Sequence, residues 1–89
     1  MIVEFDKSFE KSIDRLKDKS IFPKIEKFID ALENINALSE LSNIKKLSGY
    51  KTYYRLRIGE DRLGFEKINE NTVRLIIICR RKDIYKVFP

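Results

Sequence analysis

The sequence predicts an α+β fold, a two-layer sandwich of the order β-α-α-β-β-β within a single domain of residues 1–89. Apolar residues recur at helical spacing in the first half of the chain, which is typical of helices that cover a sheet. Period-two runs separated by turn residues fill the second half. We therefore expect a mainly antiparallel four-stranded sheet, a helical hairpin on one of its faces and a short C-terminal tail.

The N-terminal third predicts one strand and two helices. Ile2 to Phe5 is a short β-prone segment, and the apolar stripe after it indicates a first helix that ends near Lys19. A second helix begins near Pro23, a residue that the first helical turn tolerates, and runs to about Asn34. Its core-facing stripe consists of Ile25, Phe28, Ile29 and Leu32.

The segment from Asn36 to Lys51 is expected to be an irregular or helical connector. Leucines and isoleucines recur there about every three residues, but among serines and asparagines. Gly49 allows the chain to turn at the end of this segment into the strands that follow.

The stretch from Tyr53 to Glu66 predicts two strands joined by a tight turn at residues 59–61. Apolar residues alternate along both strands, so one face is buried and the other is wet. The buried series consists of Tyr54, Leu56, Ile58, Leu63 and Phe65. Arg55, Arg57 and Arg62 fall on the other face, where guanidinium groups held by a rigid sheet are suited to binding a phosphate.

The last predicted strand is the most apolar part of the chain. A turn at residues 69–71 precedes it, and Val73 to Cys79 carries β-branched residues on both faces, as expected for a strand that is covered on two sides. The tail from Arg80 to Pro89 is basic, and its apolar residues are expected to pin a terminal turn.

Charge is distributed unevenly along the chain. The net charge is +5, but residues 1–44 hold 7 basic against 9 acidic residues, and residues 45–89 hold 12 against 5. The sheet half therefore carries a net charge of +7. Such an asymmetry predicts that this half meets a polyanion or an acidic partner.

Composition excludes several kinds of chemistry. The chain has no histidine, which removes a His general base, Ser-His and Cys-His dyads and Cys/His zinc sites, and we expect no metal and no cofactor. Cys79 is a lone cysteine within an apolar run and is expected to be a buried structural thiol. No segment approaches the roughly 18 apolar residues of a membrane span, so we expect no membrane partner and a cytoplasmic location.

The order of elements, the stretch LSGYKTYYRLRIGEDRLGFE and the ending RRKDIY together resemble the RelE/ParE superfamily of toxins from type II toxin-antitoxin systems. The resemblance covers nearly the whole chain and is strongest to the RelE branch of mRNA interferases. It implies an endoribonuclease that enters the ribosomal A site, where the 2′-hydroxyl of the mRNA attacks the neighbouring phosphate.

The resemblance also implies which residues take part. The expected catalytic set is Arg55, Arg57, Arg62, Arg81 and Tyr85. Lys46, Lys51, Arg80 and Lys82 are expected to contact RNA. Arg81 follows the last strand and Tyr85 is the closing tyrosine of the family pattern, but the register of the basic run at 80–82 is ambiguous by one residue.

The group that accepts the proton stays open. RelE-type enzymes often have lysines where this chain has Arg55 and Arg57, and an arginine does not give up its proton at physiological pH. Lys51 and Glu66 are the candidates for accepting the proton. Tyr85 is suited to stacking on a base or donating to the leaving oxygen, and the alternative is that it anchors the tail.

Two other functions are compatible with the sequence. One is a ParE-like poison of DNA gyrase that cleaves no RNA, and the other is a non-catalytic nucleic-acid-binding relative. In each toxin case the resemblance implies a cognate antitoxin, and the charge of the sheet half predicts that the antitoxin offers an acidic segment. For the interferase, mRNA and the ribosome are the further partners.

Overall fold

A computed structural model describes residues 1–89 and has eight main elements. In chain order they are β1 (Ile2–Phe5), α1 (Lys7–Asp14), α2 (Phe22–Asn34), β2 (Ile44–Lys46), β3 (Tyr53–Ile58), β4 (Asp61–Asn69), β5 (Thr72–Arg80) and α3 (Arg81–Val87). Short 3-10 turns at Lys19–Ile21 and Leu38–Glu40 lie on either side of α2. The predicted α+β class is confirmed, and α2 occupies the predicted residues.

The sheet has five strands rather than the predicted four, in the order β1-β5-β4-β3-β2. β1 is parallel to β5, and the other neighbouring strands are antiparallel. The additional strand is β2, which lies inside the segment expected to be a connector and pairs with residues 54–56 of β3. With three residues, two of them lysines, β2 has no period of its own and is a strand because β3 offers it a partner.

The main core lies between the helices and one face of the sheet. Phe9 of α1 and the predicted stripe of α2 pack there against the alternating residues of the central strands. Leu32, Leu63, Phe65, Val73 and Leu75 have no exposed surface. The helices therefore cover this face of the sheet and exclude solvent from it.

The C-terminal segment is a helix and not the expected tail with a terminal turn. Ile84 and Phe88 are four residues apart, so both point to the same side of α3, where they are 1% and 3% exposed. They pack with Leu47 against the second face of the sheet. This small cluster supplies the burial that a seven-residue helix needs to be stable.

A β-bulge in β5 changes which residues share a face. Phe65 pairs with Leu75 and Gly64 pairs with Ile77, so Ile76 has no partner in β4. From Ile77 onward, each side chain therefore points to the face opposite to the one that simple alternation along β5 predicts.

None of the three helices has the length and apolar character of a helix that spans a membrane.

Candidate functional site

Arg57 and Arg62 lie directly opposite each other across β3 and β4. Arg55 lies two residues before Arg57 on the same face, so the predicted sharing of one face by these three arginines is confirmed. Arg81 begins α3, and its backbone N–H donates to the carbonyl of Glu60 at 2.9 Å, which brings it to the same corner of the sheet. We call Arg55, Arg57, Arg62 and Arg81 the arginine cluster.

Arg62 is the buried member of the cluster, with 7% of its surface exposed. Its Nη1 donates to the carbonyl oxygens of Gly59 at 2.9 Å and Asp61 at 2.8 Å. Burial, and then the charges of Arg55, Arg57 and Arg81, lower the pKa of Arg62 below its ordinary value. The cost of holding this charge indicates a position that needs a guanidinium group and not merely a side chain of that size.

No carboxylate forms an ion pair with the arginine cluster, although the charge of Glu60 partly offsets that of Arg62. The two ion pairs of the chain are Lys67–Glu70 and Arg74–Glu4, so the alternative in which Arg57 pairs with Glu60 or Glu66 is not observed. A guanidinium has five N–H donors, and the Arg62 bonds to carbonyls use one nitrogen. The cluster thus has unused donors and unbalanced positive charge, the requirements of a phosphate-binding site.

Tyr85 and Lys82 are exposed on α3 beside the cluster. Tyr85 is 64% exposed and lies one helical turn after Arg81, so both side chains project from the same side of the helix. The tail is anchored by Ile84 and Phe88 instead. Tyr85 is therefore free to contact a ligand that the cluster binds.

Arg80 is placed on the opposite face of the sheet from the cluster. Because of the bulge, Arg80 pairs with Asp61 on the side that the helices cover, whereas Cys79 lies opposite Arg62. Burial raises the pKa of Asp61, and the charge of Arg80 partly opposes that rise. Arg80 therefore does not share the face of the other arginines, although it lines one cleft with Arg81 and Lys82, and its contact with RNA stays a prediction.

The lysines are also divided between the two faces. Lys46 lies opposite Tyr54, a residue of the helical side. Lys45 lies opposite Arg55, on the sheet face that carries Arg55, Arg57 and Arg62, which we call the arginine face. The RNA-contacting set predicted from the sequence includes Lys46 and not Lys45, because the alternation of β2 cannot be assigned until β2 is known to be a strand. Lys51 is exposed in the loop before β3.

A row of aromatic rings lies at the far end of the arginine face. The centroids of Tyr50 and Tyr53 are 5.7 Å apart, and those of Tyr53 and Phe88 are 5.5 Å apart. Tyr50 is 47% exposed and was not singled out from the sequence, because the segment that contains it has no regular period. The exposed Tyr50 ring, supported by Tyr53, which in turn packs against Phe88, is a surface on which a nucleic-acid base can stack.

Cys79 offers no second reactive centre, and the acidic residues form no metal site. Burial first, and then Asp83 and Asp61, raise the pKa of the half-buried Cys79 thiol, as expected for a structural thiol. No group of three or more His, Cys, Asp or Glu side chains is arranged to hold a metal ion. What the site presents to a ligand is mainly guanidinium, ammonium and phenol, with the exposed Glu60 carboxylate at its edge.

Known proteins are similar to this chain over its whole length. Toxin RelE3 of Methanocaldococcus jannaschii is 38% identical over 90 residues, and the match covers 100% of both chains. A crystal structure of a RelB-RelE antitoxin-toxin complex from Methanococcus jannaschii contains a chain that is 35% identical to this one. The match has a TM-score of 0.80 and covers 97% of this chain and 99% of that one. The chain matches no family profile.

A more distant structure shows the same fold. The archaeal RelE-RelB complex from Pyrococcus horikoshii contains a chain that is 23% identical, with a TM-score of 0.69, over 90% of this chain and 93% of that one. At this identity the likeness supports the fold alone. The overall fold is thus shared beyond the range of clear sequence similarity.

Proposed function

This chain belongs to the RelE family of toxins, which places it among the toxins of type II toxin-antitoxin systems, and we propose that it is a ribosome-dependent endoribonuclease. Its substrate is then the mRNA in the ribosomal A site, and the cytoplasm is its place of action. The observation that carries this proposal is the buried, unneutralised guanidinium of Arg62, directly opposite Arg57 and with Arg55 and Arg81 beside it.

The arginine cluster has the chemistry that the reaction requires. When the 2′-oxygen attacks the neighbouring phosphorus, negative charge accumulates on the equatorial phosphate oxygens. Guanidinium groups that are fixed before the reaction stabilise this charge without reorganisation. We assign the oxyanion-stabilising role to Arg62 and Arg57, which share one register position, and phosphate orientation to Arg55 and Arg81.

The remaining predicted residues bind the RNA on either side of the scissile phosphate. Tyr85 is exposed one turn after Arg81 and is suited to stacking on a base or donating a proton to the leaving oxygen. Lys82 and Lys51 are exposed cations and contribute to attraction of the RNA backbone. Lys45, opposite Arg55, joins them on the arginine face.

We propose further that a cognate antitoxin neutralises this toxin by covering the arginine face. The related structures from Methanococcus jannaschii and Pyrococcus horikoshii are complexes of RelE with RelB. In this chain the net charge of +7 on residues 45–89 supports an acidic covering segment, since complementary charge speeds association and gives specificity.

A reconstituted translation system tests the proposed activity. Purified protein is added to ribosomes programmed with a defined mRNA, the mRNA ends are mapped, and DNA gyrase supercoiling is measured in parallel. We expect cuts in phase with the A-site codon and unaffected supercoiling. Blocked supercoiling without cuts would instead establish the ParE-like function, and neither effect would leave a non-catalytic nucleic-acid-binding relative.

A further inference from the structure

Glu60 lies between Arg62 and Arg81 at the turn that joins β3 to β4. The Arg62 Nη1 donates to the carbonyl of Gly59, the peptide that leads into Glu60, at 2.9 Å. On the other side, the backbone N–H of Arg81 donates to the carbonyl of Glu60 itself at 2.9 Å. Two members of the arginine cluster therefore fix the backbone of Glu60.

These bonds limit how far the Glu60 Cα is from the Arg62 guanidinium. The Gly59 carbonyl oxygen and the Glu60 Cα belong to one planar peptide and are about 3 Å apart. The Cα of Glu60 is thus within about 6 Å of the Arg62 guanidinium, and a glutamate side chain extends roughly 4 Å beyond its Cα. The carboxylate can reach a group bound by the cluster.

The Glu60 carboxylate is free to act. Its side chain is exposed and makes neither a hydrogen bond nor an ion pair. It lines a cleft of about 850 Å³ together with Arg80, Arg81 and Lys82, whereas Arg55, Arg57 and Arg62 do not line this cleft. A carboxylate beside several arginines that does not pair with them remains available to accept a proton.

The other proton acceptors are less well placed. Glu66 is a diagonal neighbour of Arg55 on the same face, but it lies four residues from Arg62 along β4, or roughly 13 Å, and it accepts a bond from the Thr52 hydroxyl at 3.3 Å. Lys51 precedes β3 at that same far end. Asp61 belongs to the opposite face of the sheet.

We infer that Glu60 is the general base of the proposed cleavage, an inference that rests on the proposed endoribonuclease function. The Glu60 carboxylate takes the proton of the 2′-hydroxyl as the 2′-oxygen forms its bond to phosphorus. The bond between phosphorus and the 5′-oxygen breaks, and the 5′-oxygen takes a proton from Tyr85 or from water. The products are a 2′,3′-cyclic phosphate and a free 5′-hydroxyl, so no co-reactant is needed.

Single-turnover cleavage on programmed ribosomes tests this role with Glu60→Gln, which keeps the size of the side chain but cannot accept the proton. We expect the rate to fall about 10²–10⁴-fold, the usual contribution of general base catalysis, while ribosome binding is unchanged or tighter. Glu70→Gln removes an equal charge from the exposed turn before β5 and serves as the matched control. Melting temperatures of both variants confirm that they fold.

Chemical rescue separates a base from a residue that merely shapes the turn. Added formate should restore part of the rate of Glu60→Ala, because it supplies a carboxylate, and should not restore Arg62→Ala. A Glu60→Gln rate within threefold of the unmodified protein, or loss in Glu66→Gln instead, overturns the assignment. Absence of cleavage by the unmodified protein overturns the proposed function itself and the role of Glu60 with it.

Discussion

The ring of Phe88 occupies the space that a side chain at Gly64 would need. A Cβ at position 64 would lie 2.7 Å from Cδ2 of Phe88 and 2.8 Å from two further ring atoms. Phe88 follows α3 and Gly64 lies in β4 opposite Arg55, so this contact docks the C-terminal helix onto the arginine face. The same helix carries Arg81 and Tyr85.

Gly64→Ala should therefore weaken the docking of α3. The added methyl group displaces the Phe88 ring, and overpacking of this kind typically costs about 1–3 kcal/mol. We expect a lower melting temperature, faster hydrogen exchange at Ile84 and reduced cleavage, because Arg81 and Tyr85 lose their fixed positions. In the double variant with Phe88→Ala, the two effects should be less than additive. Strict additivity would contradict a direct clash.

Both helices of the helical layer could be predicted from their apolar stripes, although α1 ends at Asp14 and not near Lys19 as predicted, because a 3-10 turn at Lys19–Ile21 follows it. The residues Ile25, Phe28 and Leu32 of α2 all lie in the main core. β2 and α3 could not be predicted in this way. β2 has three residues, and α3 shows only the single i, i+4 pair Ile84 and Phe88, so tertiary pairing determines both elements.

The arginine face was predictable for the same kind of reason, and only in part. Strict alternation holds through β3 and across the turn, so Arg55, Arg57 and Arg62 were placed on one face correctly. The bulge at Ile76 breaks alternation in β5 and moves Arg80 to the helical side, and a run of four apolar residues gives no local sign of it. Glu60 is identified as a candidate general base only by the hydrogen bonds around the turn, which its sequence position does not reveal.

Arg62→Ala should reduce single-turnover cleavage by about 10²–10³-fold, the loss typical of removing one preorganised oxyanion donor. Arg62→Lys should restore little of the rate, because an ammonium cannot reproduce the planar fork of a guanidinium. We expect the melting temperature to change by only a few degrees, since the lost bonds are offset by removal of an unneutralised buried charge.

Arg74→Ala is the matched control for Arg62→Ala. Arg74 is also an arginine of the sheet, but it pairs with Glu4 at 2.9 Å away from the cluster. Its removal should leave the cleavage rate within about twofold, as expected for an exposed ion pair that contributes little. Equal losses in the two variants would show that general positive charge, and not the geometry of the cluster, drives the reaction.

Asp61→Asn should stabilise the fold at neutral pH. Burial raises the pKa of Asp61 above its ordinary value of 3.8, so the folded state favours the protonated form. Stability therefore falls as the pH rises from 3.8 through the folded-state pKa, and the penalty is fully present above it. The stability gained by Asp61→Asn should be seen in urea titrations at pH 7 and should diminish below about pH 4.

Asp30→Asn is the control for this pH dependence, because Asp30 is exposed on α2 and its carboxylate makes no hydrogen bond. Its urea midpoint should follow that of the unmodified protein at both pH values. A destabilised Asp61→Asn variant at pH 7 would mean that the attraction between Asp61 and Arg80 outweighs the cost of burial.

Ser12 of α1 completes the edge of β5 beyond the point where β1 ends. β1 pairs with β5 only as far as Leu75. Farther along, the buried Ser12 hydroxyl accepts from the backbone N–H of Ile78 at 3.0 Å and donates to the carbonyl of Phe9 at 2.8 Å. One side chain thus joins a helix to the strand edge next to the arginine cluster.

Ser12→Ala should cost about 1–3 kcal/mol of unfolding free energy, because it leaves the Ile78 N–H buried without a partner. Hydrogen exchange at Ile78 should accelerate more than at Val73, which lies where β1 still covers β5. Ser42→Ala removes an exposed hydroxyl that makes no hydrogen bond and should change stability by less than about 0.5 kcal/mol. Unchanged hydrogen exchange at Ile78 in Ser12→Ala would show that water replaces the Ser12 hydroxyl as the partner of the Ile78 N–H. It would contradict the prediction that this side chain protects the edge of β5.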